Sequence, residues 1–229
     1  MNQRERGIYS ILKTALPLFR TVGFDCTSVR MIAQGAGNTP AMINHYFGSK
    51  ECLGAQVMDL ISSYVTAKIP DVVSYDEDPV LSDLLWNRMR FTWLNENGYG
   101  NLYKDSLKND FFFNFMDSHP THLIGALSKV YGFSYTEDEA VLYGLYLPYM
   151  MEKTLILKKE EGKLSSIPYD SVPYYIASSA MSHFIPEEEI GKRNQKSIEL
   201  CRELMLQLDD QIPDELIEKF AEEYSRKTK

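Results

Sequence analysis

Thr27-Ser28-Val29-Arg30-Met31-Ile32-Ala33-Gln34-Gly35-Ala36-Gly37-Asn38-Thr39-Pro40-Ala41-Met42-Ile43-Asn44-His45-Tyr46-Phe47-Gly48-Ser49-Lys50-Glu51 carries two short helical patterns around a tight turn, with a third helix start behind them. Val29, Ile32 and Ala33 fall at i, i+3 and i+4, which gives the first helix one apolar face, and Thr27 or Ser28 supplies its N-cap oxygen. Gly37 stands where the chain needs a positive φ to leave that helix. Thr39 and Pro40 restart it as N-cap and first helical residue, because the amide hydrogen that proline lacks would be unpaired there anyway. Ile43 and Phe47, four apart, anchor the second helix and turn Thr39, Pro40, Met42, Asn44, His45 and Tyr46 outward. This is the pattern of a helix-turn-helix. An outward face with Asn, His, Tyr and Thr but no acid suits a DNA major groove, where Asn can pair with adenine and Thr or Met can touch a thymine methyl. A helical hairpin of some other domain carries the same local signature.

The flanking residues favour the first reading. Ile11, Ala15, Leu18, Phe19 and Gly23 set an opening helix; Thr27, Ser28, Val29, Ile32, Ala33, Ala36 and Gly37 follow, and then Tyr46, Phe47, Ser49, Lys50, Glu51 and Leu53. In that order and register, the first 54 residues resemble the N-terminal DNA-binding domain of TetR-type transcriptional regulators. Two positions depart from the family pattern: Asn38 replaces the usual Val in the turn, and Asn44 stands where many members carry Tyr. The resemblance implies that Thr27 and Ser28 meet a phosphate at the first reading helix. It also implies that Thr39, Pro40, Met42, Asn44 and His45 lie in or beside the groove, that Tyr46 meets the DNA backbone, and that Lys50 pins a phosphate. Phosphate contacts set register and salt-dependent affinity, whereas base-edge contacts set specificity.

Charge follows the same division. Residues 1–54 hold six basic and three acidic side chains, a net +3, which leaves −11 for the remainder of a chain at −8 overall. A basic head on an acidic body confines the electrostatic footprint to one end and argues against coating of nucleic acid or anionic membrane. At 229 residues the chain accommodates such a head over 1–54 and a larger domain with its own core over 55–229.

No basic arm followed by a long apolar run opens the sequence, so no signal peptide is expected. The longest apolar stretch, Ala140 to Met151, is too short to span a bilayer. Three cysteines, Cys26, Cys52 and Cys201, lack metal-ligand spacing and fit a reducing cytoplasm. No metal and no cofactor is expected.

Beyond Leu53 the chain reads as helix after helix. Starts are predicted at Ser49, Asp78-Pro79, Thr136 to Glu139 (a capping box), Pro186-Glu187 and Pro213-Asp214, with stops or turns around Gly98, Gly132, Gly162 and Ser165 to Pro168. No stretch alternates with period two. The expected fold class is therefore all-α, a helix-turn-helix head followed by a helical ligand-binding and dimerisation bundle.

Aromatic and Met residues crowd the middle of the body. Trp86, Met89, Trp93, Tyr103, Phe112, Met116, Tyr143, Tyr146, Tyr149 and Met150 are the candidate lining of a pocket for a largely apolar or aromatic small molecule, with Asn114 or His119 as orienting groups. Plain core packing is the competing reading. Pro148 should kink its helix and free a carbonyl near Tyr143 or Gly144. Further on, Ile198, Cys201, Met205 and Leu208 run at spacings of three, four and three, with Leu200, Leu204 and Leu206 on an adjoining face. A helix apolar on two faces needs two partners, so this stripe is the candidate dimer interface, with Glu139 to Lys159 as its companion. The family resemblance also implies dimerisation through the C-terminal body. The last helix, with Leu216, Ile217, Phe220 and Tyr224 on one side, is expected to cover the body as a lid.

Catalysis finds little support. His119 and His122 are separated by Pro120, and there is no zinc pattern, nucleophile elbow, phosphate-cradling glycine loop or dinucleotide fingerprint. The expectation is a cytoplasmic, homodimeric transcriptional regulator, a repressor released from a near-palindromic double-stranded operator by a small-molecule effector, with no membrane partner. The second reading is a helical protein-interaction module whose DNA head is secondary or silent.

Overall fold

In the computed structural model, residues 1–116 and 122–228 are described; His119 lies outside them. The helices are α1 (Gln3–Thr21), α2 (Val29–Gly35), α3 (Pro40–Phe47), α4 (Lys50–Thr66), α5 (Pro79–Glu96), α6 (Gly100–Lys108), α7 (Phe111–Met116), α8 (Leu123–Tyr131), α9 (Glu137–Val141), α10 (Leu147–Glu160), α11 (Val172–Met181), α12 (Glu187–Met205) and α13 (Asp214–Lys227). The fold is all-α, with no strand among the described residues. Starts predicted at Pro79, Glu137, Glu187 and Asp214 coincide with helix starts, and the Thr136–Glu139 capping box closes in both directions. None of the described helices is long and apolar enough to cross a membrane.

The chain folds into two compact units. The first comprises Met1–Tyr64, Leu94–Phe115 and Asp209–Lys229. Ile8, Ile11, Leu12, Ala15, Leu16 and Phe19 form the buried face of α1, spaced as a helix requires. Phe24 extends this core, its ring 5.2 Å from Phe19 and 4.6 Å from Phe111. Gly54 in α4 permits that approach, since a Cβ there would stand 2.7 Å from Phe24 and 3.0 Å from Phe111. The glycine trades helix propensity for close ring packing.

One expectation is corrected here: α13 is not a lid on the body. It packs along α1 within the first unit, with Ile217, Ala221 and Ser225 buried at intervals of four residues. The apolar side was legible in the sequence, but its partner lies some two hundred residues away and leaves no local mark.

The second unit comprises Val65–Trp93 and Met116–Leu208. Its core joins Val80 and Leu84 of α5, Leu123, Ile124 and Leu127 of α8, Ala177, Ala180 and Met181 of α11, and Ile190 of α12. Polar groups are buried beside it. Arg88 donates to Ser197 Oγ (3.2 Å), the Asp170 carbonyl (2.9 Å) and Asn194 Oδ1 (2.7 Å), and Arg90 pairs with Glu152 at 2.5 Å. Between α9 and α10 the helix widens to a π-turn over Leu142–Tyr146, immediately before Pro148. The predicted disturbance ahead of the proline thus takes the form of an inserted residue in an otherwise continuous helical run.

Candidate DNA interface

The helix-turn-helix is assembled from local bonds. Ser28 caps α2 by accepting from the Met31 amide (3.2 Å), and Thr39 caps α3 by accepting from the Met42 amide (3.3 Å), with Pro40 in the first turn. Gly37 has φ +62, the left-handed geometry read from the sequence. Asn38 explains its own departure from the family pattern: its amide donates to Ser10 Oγ of α1 (2.9 Å) and to the Ala36 carbonyl (3.0 Å). A side chain unusual at this place therefore ties the turn to the opening helix.

Burial sorts the sequence candidates. Ser28, Thr39, Pro40, Asn44 and His45 are exposed, Met42 is half-buried, and Ile43 and Phe47 are buried as anchors. Three candidates are engaged within the protein itself. Thr27 is fully buried and its hydroxyl donates to the Gly23 carbonyl (2.6 Å), so Ser28 alone supplies the cap. Tyr46, expected to face the DNA backbone, is 8% exposed; its ring lies under the Arg4 guanidinium at 5.2 Å. Lys50, expected at a phosphate, instead donates to the Phe24 (3.0 Å) and Thr27 (3.2 Å) carbonyls over the Phe24 ring. It fastens the α1–α2 loop to α4.

Sequence reasoning passed over Arg30, Gln34 and Arg6, which are exposed in the same unit. The signal available was subtraction among the basic residues of the head. Lys13 pairs with Asp214, Arg20 with Asp210, and Arg4 donates to Thr228, whereas Arg6 and Arg30 make no ion pair among the described residues. Those two guanidiniums supply the head's uncommitted positive charge. Bonding to Asp214 and to Tyr9 also holds the Lys13 ammonium above the usual lysine range.

A family model described as bacterial regulatory proteins, tetR family, matches residues 11–57, the span from mid-α1 to mid-α4. The head belongs to the tetR family. Proteins of this family are DNA-binding transcription regulators, and the match covers the helix-turn-helix of this chain. No curated protein matches the sequence. Solved structures similar to it include a TetR-family transcriptional regulator from Mesorhizobium loti MAFF303099, at 17% identity over 80% of this chain and 96% of that one, with a TM-score of 0.44. A TetR-family regulator from Streptomyces coelicolor A3 matches at 20% identity over 80% of this chain and 96% of that one, TM-score 0.36. A third, from Shewanella sp. PV-4, matches at 23% identity over 85% and 95%, TM-score 0.33. At these TM-scores the likenesses add nothing to the family-model match.

The aromatic candidates of the body do not gather in one compact unit. Tyr103 and Phe112 belong to the first; Trp86, Met89, Trp93, Met116, Tyr143, Tyr146, Tyr149 and Met150 belong to the second. Met89, Trp93 and Tyr103 are at most 1% exposed and serve as core. Trp86 lies under the Arg90 guanidinium at 4.8 Å, and Tyr143 stacks on His183 at 4.4 Å beside Phe184. Nearby Asp83 is half-buried, and desolvation pushes its carboxyl up to about 7 despite hydrogen bonding from Asn87 and the charge of Arg90.

The candidate dimer stripe is partly occupied within its own chain. Cys201 is buried in its own chain, Ile198, Met205 and Leu208 are half-buried, and the exposed side of α12 carries Lys192, Lys196, Glu199, Arg202 and Glu203. The exposed apolar row lies on the companion run instead: Leu142 (44% exposed), Tyr146 (41%) and Met150 (53%), with Val141 and Leu147 beside them.

Proposed function

We propose that this TetR-family regulator acts as a cytoplasmic homodimeric repressor, which occupies a near-palindromic operator and is released by a small, largely apolar or aromatic effector. Residues 1–54 read DNA, and residues 55–229 bind the effector and the second copy. The observation that carries the reading is the outward side of α3, where Thr39, Pro40, Asn44 and His45 are exposed at the end of a helix-turn-helix whose two helices are each capped by a side-chain oxygen. A single such helix reads only a half-site, and two related by a twofold axis read a palindrome.

The apolar row of the π-turn and α10 supports pairing. An exposed Leu, Tyr and Met at intervals of four on one helix is the kind of patch that a second subunit covers. Effector release fits the same unit, because a π-turn is a helix irregularity that a bound molecule can shift. Linkage then requires that an effector lowering DNA affinity by some factor binds the DNA complex more weakly by the same factor.

Light scattering should give twice the monomer mass, reduced to the monomer by Met150→Glu. Fluorescence anisotropy on a duplex enriched from a randomised pool should show high affinity that falls steeply with salt and collapses with an effector. Affinity indifferent to every compound that binds the body would sink the release model.

A further inference from the structure

We propose that α13 is a strap that seats the recognition helix, and that Tyr224 is its positioning residue. The inference rests on α3 being the DNA-reading element.

The strap runs antiparallel along α1 and is fastened at three levels. Asp210 meets Arg20 at 3.3 Å, Asp214 meets Lys13 at 2.5 Å, and Thr228 Oγ1 accepts from Arg4 at 2.8 Å. Its approach is pinned as well, since Tyr64 Oη of α4 accepts from the Asp209 amide at 2.8 Å. Ala221 and Ser225, both fully buried, are small enough to let the two helices lie close.

At its far end the strap reaches α3. Tyr224 Oη donates to the Tyr46 carbonyl (3.1 Å), and the Tyr224 ring stacks on Phe47 at 5.2 Å and 14°. The Tyr46 carbonyl is among the last four of the helix, which have no partner of their own within it. Asn44 and His45, the exposed candidates for base contact, immediately precede it. One hydroxyl and one ring thus hold the end of α3 opposite to the Thr39 cap, and base readout depends on placement to a fraction of an ångström.

The attachment is not an optimal seal. Ser225 Oγ and Arg4 Nε are buried there without a hydrogen-bond partner among the described residues, a cost the packing must offset. Such a contact suits setting the angle of a helix better than supplying bulk stability.

The test uses the full chain, a duplex it enriches from a randomised pool, and a scrambled duplex of equal length and charge. Tyr224→Ala should lower affinity for the enriched duplex about tenfold, the size of one lost hydrogen bond plus a ring contact. Affinity for the scrambled duplex should stay within about twofold of the original, because phosphate contacts need less exact placement. Tyr224→Phe, which keeps the stack, should fall between. Amide exchange in α3 of the free protein should accelerate in the same order. Unchanged affinity for the enriched duplex in Tyr224→Ala would overturn the strap, as would equal losses on both duplexes, which mark general damage. Failure of the unaltered chain to enrich any duplex would overturn the DNA reading and the strap together.

Discussion

The two compact units solve the same packing problem in different ways. The first is held by apolar rings and short local caps: Phe19, Phe24 and Phe111 in contact, Ser28 and Thr39 each closing a helix with one oxygen. The second buries charge. Arg88 donates to three neutral oxygens, Arg90 pairs with Glu152, and burial raises the Asp83 carboxyl at a cost in ionisation. A rigid reader is best made from parts with one arrangement each, whereas buried polar groups leave a unit sensitive to what neutralises them. The contrast can be measured directly, because both tryptophans, Trp86 and Trp93, lie in the second unit and their emission reports it alone.

The largest effect is expected at the buried ion pair. Glu152→Ala leaves the Arg90 charge without its carboxylate and should cost about 3–5 kcal/mol, read as a lower denaturant midpoint by tryptophan emission. A midpoint unchanged within error would erase the distinction between the units. Asp83→Asn tests the same unit by pH. The folded pKa is raised, so the stabilisation present at low pH is lost as pH rises through about 7. Between pH 5 and 8 the native protein should lose on the order of 2 kcal/mol that the variant retains. Parallel pH profiles would refute that assignment.

In the first unit the sensitive point is a contact rather than a charge. Gly54→Ala forces Phe24 and Phe111 apart and should cost about 1–3 kcal/mol, visible in helical circular dichroism and in head proteolysis. Tryptophan emission should not follow it; concerted loss of both signals would show that the two units unfold as one. Thr39→Ala removes a cap, at about 1 kcal/mol. The smallest effect on stability belongs to Asn44→Ala, within about 0.5 kcal/mol because the residue is exposed. That substitution should nevertheless alter base preference at one operator position, by about 1–3 kcal/mol of discrimination, in a selection experiment. Selection of the same duplex by both proteins would remove Asn44 from the groove.

What the sequence made legible was what neighbours decide. Ser28, Gly37, Thr39 and Pro40 act on bonds within four residues, and Thr136 with Glu139 closes a box over one turn, so reading outward from them finds the helices. Thr27, Tyr46 and Lys50 were assigned to DNA because their places in the pattern are those of DNA contacts in the family. Their contacts are decided elsewhere: Lys50 meets the Phe24 carbonyl 26 residues away, and the end of α3 meets Tyr224. Likewise Pro148 announced a disturbed helix, but the widening to a π-turn over Leu142–Tyr146 depends on packing that no periodicity encodes. The apolar stripe at Ile198 to Leu208 had the right spacing for a partner, and the partner of Cys201 proved to be its own chain.

The return of α13 along α1 also sets an order of assembly. The bonds of the C-terminal segment to the head join residues separated by 178, 190, 201 and 224 positions, the longest closures among the described residues. During synthesis, α1 to α4 leave the ribosome first and can collapse on local contacts, but they must wait for residue 228 before their last surface is covered. Until then the α1 groups that the C-terminal segment engages, Arg4, Lys13 and Arg20, stand without those partners. A chain that stops short of α13 therefore lacks the partners that α13 supplies to α1 and to the Tyr46 carbonyl.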